Sequence, residues 1–282
     1  MTAEDPRPPA PAVPNVARVY DAWLGGRSNY AADRQVAAQV QALAPWVVAA
    51  ARANRRFVSR AIRFACRRGI RQFVDLGSGL PTMRNVHQVA GEHCPAPRVV
   101  YVDRDPVVTA HARALLATDE RTGVVQGDLA DVEQICADRT FLRLIDPHEP
   151  VGLLATAVLH FIPQDIAVAQ ALSAWREVMA PGSHLVISHV CPGNGSQQLR
   201  QRDAVEMYAR EVAPFAARTS TQILHLLDGF EPLPPGVVPV QRWRPTSPDR
   251  VNWFPCSAPW RGYPGRPGSP PCDHADRSVD DV

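Results

Sequence analysis

The sequence predicts an α/β protein, a doubly wound and mostly parallel sheet preceded by a helical N-terminal segment. Three observations predict it. Five short runs (RQFVDLGSG, RVVYVDRD, TGVVQGDL, EPVGLLATAVLHF and GSHLVISHV) are rich in Val, Ile and Leu, as strands buried on both faces are. Four helical stretches separate them: TMRNVHQVAGEH, PVVTAHARALLA, DVEQICADRTFLRL and QDIAVAQALSAWREVM. Strands alternating with helices need crossover connections, hence a parallel sheet with helices on each side.

Proline placement sets the outer limits. Of 28 prolines, five fall in the first 14 residues and twelve in 232–282, so the middle has the density of a folded domain. The expected division is a Pro-rich disordered start (1–14), a helical segment (15–68), the sheet core (69–245) and a Pro/Gly-rich disordered tail (246–282). Within 15–68, RQVAAQVQALAPWVVAAA favours helix, with a break at Pro45. In ARANRRFVSRAIRFACRRGIR, Phe57, Ala61, Phe64 and Ala65 share one helix face, while Arg52, Arg56, Arg60, Arg63 and Arg67 line another, read as solvated. Pro106 suits a first helical turn and Gly182 a helix end. After Cys191 the chain reads as helical again (QQLRQRDAVEMYAREVAPFAART, then STQILHLLDG), and VVPVQRW as an edge strand. Beyond Pro245 no run qualifies as a strand, so a last antiparallel strand is doubtful and a sheet edge is expected to stay unpaired.

Composition removes several functions. All 30 basic residues are Arg, which excludes a Walker A loop, a Schiff-base lysine and pyridoxal-phosphate chemistry. A net charge of +2 gives no polybasic arm for nucleic acid. No run approaches the ~18 apolar residues of a membrane span, and the first residues lack an export segment. Six cysteines without a CxxC pair favour reduced, buried thiols over a disulfide frame or a metal site. A cytoplasmic location is expected, with neither membrane nor nucleic acid as partner.

In an open α/β sheet, ligands bind beyond the carboxyl ends of the strands. The first run ends in Asp75, Gly77 and Gly79, where glycines let backbone pass close to a ligand and a helix starting near Thr82 would offer free N–H groups. The second ends in Asp103, 24 residues past Gly79, where a carboxylate can accept both ribose hydroxyls of an adenosine-type cofactor. The third ends in Asp128 and Leu129, an acceptor for an adenine amino group beside an apolar wall. Each acid alone could be a helix cap; three at successive strand ends form a specific set. A dinucleotide fold prefers G-x-G-x-x-G, but here Thr82 takes the third place after Pro81, leaving the pyrophosphate clamp incomplete. D-x-G-x-G without that clamp suits S-adenosylmethionine (SAM), whose methionine end is a zwitterion. A nicotinamide oxidoreductase is disfavoured by Thr82, and a catalytically idle SAM-binding protein stays open as an alternative.

NVARVYDAWLGGRSNYAADR, the segment from ARANRRF to RNVHQVA, VVYVDRDPVVTAHARALLA, VLHFIP and GSHLVISH resemble the actinobacterial S-adenosyl methyltransferase family, long catalogued as a domain of unknown function. The resemblance runs from about Asn15 to Pro245. It implies a Rossmann-like class I SAM-dependent methyltransferase with an N-terminal helical cap. It also implies that Asp75, Gly77 and Gly79 surround the methionine moiety, Asp103 (with Arg104 beside it) the ribose, and Asp128 with Leu129 the adenine.

Methyl transfer from a sulfonium is an in-line displacement, so alignment supplies most of the acceleration, on the order of 7–11 kcal/mol. A base helps where the acceptor must lose a proton. His160 and His189, after the fourth and fifth runs, stand at the ligand-binding rim. In YDAWLGGRSNYAADR, Tyr20, Asn29, Tyr30 and Asp33 are candidate cap residues around a Gly25-Gly26 turn that could close over the cofactor. The string AVLHFIP lacks the Asn/Asp-Pro-Pro-aromatic signature of amino-methylating nucleic-acid enzymes, which favours a small-molecule methyl acceptor.

Overall fold

The five apolar runs become five parallel strands: β1 (Gln72–Leu76), β2 (Arg98–Asp103), β3 (Thr122–Gln126), β4 (Val151–Thr156) and β5 (His184–His189), in the order β3-β2-β1-β4-β5. The structure, a computed structural model, describes residues 13–81, 84–116, 119–193, 196–245 and 256–261. Successive strand residues point to opposite faces, and the core divides accordingly. Val74 and Leu76 join Leu153, Leu185 and Trp175 on one face; Phe73 joins Val99, Leu154 and Val186 on the other.

Three helices precede the sheet: α1 (Val16–Leu24), α2 (Ala31–Leu43) and α3 (Val47–Arg67), with Pro45 in the break between the last two. α3, expected with the N-terminal helical segment, lies on the sheet: Phe57, Ala61, Ile62 and Ala65 are buried against Phe73 and Leu154. Its Arg60 departs from the expected solvated face. That side chain is buried, with Nε donating to the Trp243 carbonyl at 3.0 Å and Nη2 to that of Val240. A guanidinium taken from water needs such acceptors, and here they tie the end of the core back to α3.

The remaining helices are α4 (Val86–Gly91), α5 (Pro106–Leu116), α6 (Val132–Ala137), α7 (Arg139–Leu144), α8 (Asp165–Val178), α9 (Ser196–Glu211) and α10 (Ser220–Leu226). Two differ from expectation. The stretch 132–144 is split by Asp138, which leaves helical geometry and caps α7 by accepting from the Thr140 amide at 2.6 Å. α4 starts at Val86 behind the Asn85 cap; Thr82 itself lies outside the described residues.

The doubtful last strand exists. β8 (Cys256–Arg261) runs antiparallel to β5 from His184↔Arg261 to His189↔Cys256. On its other side it pairs with β6 (Glu231–Pro232) and with β7 (Val238–Pro239), the remnant of the expected edge strand VVPVQRW. Its sequence, CSAPWR, carries no strand pattern; the open edge of β5 recruits it through the backbone. Pro259, which cannot donate to a ladder, falls between the β6 and β7 pairings, where nothing is demanded of its second side. VNWF (251–254) lies outside the described residues.

A chain ending at Pro245 should therefore bare the β5 edge. The expected result is a lower Tm and concentration-dependent aggregation, with hydrogen exchange showing protected amides across 256–261 in the full chain and faster exchange across 184–189 in the shortened one.

Candidate active site

Strand order reverses between β1 and β4, and the crevice at that switch point opens at their carboxyl ends. A cavity of about 430 Å³ fills it. Asp75, Asp103 and Asp128, with Gly77, Gly79, Arg104 and Leu129, all line this one space.

Each acid is held differently. Asp103 is mostly buried, which pushes its carboxyl upward, while Oδ2 accepts from the Gly79 amide at 2.9 Å and Oδ1 from the Asp105 amide at 3.0 Å. Those two bonds aim it and leave lone pairs for a ligand. Asp128 accepts from the Ala130 amide at 3.0 Å and stands 3.7 Å from Arg104, an exposed pair of little energetic weight. Leu129 is buried beside it, its carbonyl fixed by Trp175 Nε1 at 2.8 Å. Asp75 is the unusual one. Buried, with no hydrogen bond to its carboxylate among the described residues, it is pushed up to about 7 by desolvation; the Arg55 guanidinium opposes the shift and Asp103 adds to it.

The glycine turn is closed to phosphate. The Gly77 and Ser78 amides donate to the Val102 carbonyl at 2.8 and 3.1 Å, and the Gly79 amide is spent on Asp103. The helix expected to follow directly begins only at Val86, and Thr82 lies outside the described residues. Gly77 is needed for another reason. At φ +65° a Cβ would meet the Val158 side chain at 2.2 Å, so glycine lets β1 and the segment after β4 close together.

The N-terminal helices form the opposite wall. Asn15 caps α1, accepting from the Ala17 and Arg18 amides, and its Nδ2 donates to Asp105 at the β2 tip. Buried Asp33 gathers the Asn15 and Tyr30 amides and Arg18 Nε, each at 2.8–2.9 Å. Two expected cap contacts fail. Asn29 and Tyr30 are absent from the cavity lining: the Asn29 amide is consumed by Asp21 and the Gly26 carbonyl, and Tyr30 is part-exposed at the α2 N-terminus under Arg18. Tyr20 does line the cavity, but its hydroxyl donates to the Ala51 carbonyl at 3.2 Å and accepts from Asn54 Nδ2 at 3.1 Å. Burial raises its pKa, so it holds its proton.

The two histidines part company. Arg218 Nη1 donates to His189 Nε2 at 3.0 Å, which makes Nδ1 the protonated nitrogen, donating to the Val190 carbonyl at 2.8 Å. Both nitrogens are consumed, and burial lowers this ring to about 4. His189 is thus excluded as a base. His160 is also buried, with its pKa driven well below the ordinary value by desolvation, then by His189 and Arg218. Its Nδ1 has no hydrogen-bond partner among the described residues, and the ring lines the cavity.

Sequence reasoning missed Arg218 and the α9 side of the chamber. All five N–H groups of the buried Arg218 are used: by Asp165, His189, and the carbonyls of Leu159, Ile162 and Pro163. One side chain thereby holds the segment after β4, the end of β5 and the start of α8. No local pattern marks this arginine; its partners lie 29 to 59 residues away.

Three carboxylates at successive strand tips, beside a turn whose 77–79 amides are used within the protein, fit an adenosine-bearing zwitterion. With the strand order, this puts the protein among the Rossmann-like class I methyltransferases. Residues 6–259 match the model of the S-adenosyl methyltransferase family, and the chain belongs to that family. It is similar to a putative methyltransferase from Thermobifida fusca (36% identity, 89% of this chain and 96% of that one, TM-score 0.83). It is also similar to a DUF574-family protein from Streptomyces avermitilis (30% identity, 89% and 98% covered, TM-score 0.83). No curated protein matches. SAM is the family's methyl donor.

Replacing Arg218 by Leu should cost about 3–5 kcal/mol of stability, the scale of breaking a buried charged network. Urea unfolding checks it; a loss under 1 kcal/mol would remove Arg218 as the anchor.

Proposed function

We propose that this methyltransferase modifies a small-molecule acceptor enclosed beneath a cap formed by α1, α2 and α9. One observation carries the reading: the carboxylates of three strand tips and an apolar compartment under those helices belong to the same cavity. When bound, SAM supplies a methyl group on a sulfonium sulfur, open to in-line displacement.

The residues fit that donor. Asp75, a buried carboxylate with no hydrogen-bond donor among the described residues, answers an α-ammonium group. Asp103 keeps lone pairs for ribose hydroxyls, and Asp128 with Leu129 takes the adenine. Gly77 and Gly79, both at positive φ, leave the turn without side chains. The cap excludes water from a cationic donor and aligns the acceptor, and alignment is the larger part of the rate. Support for closure comes from Asn15, whose bonds to Asp33 and Asp105 link α1 to α2 and to the β2 tip.

Calorimetry with SAM and with its demethylated product, S-adenosylhomocysteine (SAH), tests the donor site. Asp103→Ala should weaken binding by about 1.5–3 kcal/mol, the scale of a hydrogen bond to a charged group. An unchanged Kd would remove Asp103 from the site.

Asp75 adds a pH signature. Its folded-state pKa, about 7, lies above the ordinary value of 3.8, so its stabilising share is complete below pH 4 and is lost as pH rises through 7. Without ligand, Asp75→Asn should therefore be more stable than the parent at pH 8, by a margin that shrinks toward pH 4. An ammonium ligand favours the ionised carboxylate, so SAH affinity should rise from pH 5.5 to 7 in the parent and stay flat in the variant. Thermal melts and calorimetry at each pH read both.

A further inference from the structure

We infer that the acceptor is a flat aromatic compound bearing a phenol-type hydroxyl, and that His160 receives the proton which that hydroxyl sheds on methylation. The inference rests on the assignment of the strand-tip end of the cavity to SAM.

Five rings from five segments line the other end: Trp23 on α1, Trp46 before α3, Phe161 after β4, Tyr208 on α9 and Phe215 beyond it. Four of them pack on one another, with Trp23–Tyr208 centroids 6.1 Å apart, Phe161–Tyr208 6.1 Å and Phe161–Phe215 5.6 Å. Aromatic walls favour a flat ring, which can stack or meet them edge-on.

Charge narrows the choice. The charged residues lining the cavity are at the strand tips, on α3 beside Asp75, or Asp21. Asp21 is turned away onto the Gly26–Ser28 turn. Its Oδ2 accepts from the Ser28 amide and the Asn29 side chain, while Oδ1, buried and without a hydrogen-bond partner among the described residues, abuts Gly26, where a Cβ would lie 1.8 Å away. So among the described residues the one carboxylate on this side of the cavity is directed at its own turn and away from an alkylammonium among the rings. A carboxylate acceptor fares no better, since the nearby guanidinium of Arg218 has every N–H engaged. That buried positive charge still acts through space, disfavouring a cationic acceptor and favouring an oxygen that gains negative character.

His160 is a polar group set among these rings, its centroid 4.4 Å from Phe161 and 4.6 Å from Phe215. Nδ1 is sealed without a partner among the described residues, which leaves Nε2 as the nitrogen to meet a ligand; in the Nδ1–H tautomer it offers a lone pair. The reaction then balances. The hydroxyl oxygen forms a bond to the methyl carbon as the carbon–sulfur bond breaks, the bonding pair stays on sulfur, and the hydroxyl proton passes to Nε2. The products are a methyl ether, SAH and an imidazolium that returns its proton to solvent. A weak base suffices, because a hydroxyl oxygen accepting a methyl cation becomes far more acidic than a phenol.

The test uses 1-naphthol, 1-naphthylamine, 1-naphthoic acid and naphthalene with the full-length protein. Binding to the SAH-loaded protein is read by quenching of tryptophan fluorescence, and turnover with SAM by product mass. The expected result is saturable binding and methylation of naphthol alone. His160→Gln should lower kcat by about 10²–10⁴-fold, the range of general-base catalysis, with SAH binding unchanged and KM moved less than about threefold. Phe215→Leu should raise KM instead. Preference for the amine or the acid, no turnover of naphthol by protein that binds SAH, or full kcat in His160→Gln would each overturn the inference. Failure of the parent to bind SAH would sink the donor assignment beneath it.

Discussion

A charged or polar group taken out of water must be met by a partner, and the crevice at the strand tips is organised by how its buried groups are met. Arg218 is met completely, with five donors on five acceptors. Asp33 is met by two backbone amides and Arg18, which fixes α1 against α2. Asp103 is met by two amides that orient it without exhausting it. Among the described residues, the Asp75 carboxylate and His160 Nδ1 are buried without a hydrogen-bond partner. In a cavity between two satisfied networks, groups of that kind are kept ready for a ligand.

The same accounting explains why the glycine turn serves this donor. The amides of residues 77–79 close onto the end of β2, and among the described residues the acid before the glycines has no hydrogen-bond donor. A turn with outward amides would suit a pyrophosphate. The readiness of Asp75 has a cost in stability, since a carboxylate held this way favours its protonated form until a cation arrives.

Much of this was legible in the chain, for identifiable reasons. Parallel strands buried on both faces write themselves as unbroken apolar runs, and carboxylates directly after such runs must sit at strand ends. That logic located Asp75, Asp103, Asp128 and Leu129 around one hollow. It did not resolve what the side chains do once there. Tyr20, His189 and Asn29 were credible by type and position, yet each is spent on a neighbour. β8 escaped because its partner, rather than its own residues, makes it a strand.

The sequence by itself determined the sheet, its parallel sense, the acids at the strand tips and the broad chemistry, because these depend on local periodicity and on residues adjacent to strand ends. Only the tertiary structure decided which of those groups remain available, that α3 belongs to the core, and that Arg218 underpins the rim. It also brought Trp23, Phe161, Tyr208 and Phe215 together into one chamber. Those outcomes depend on hydrogen bonds and ring contacts between residues tens to nearly two hundred positions apart. Such contacts leave no spacing in the chain, and they exist only once burial has forced each polar group to find its partner or go without.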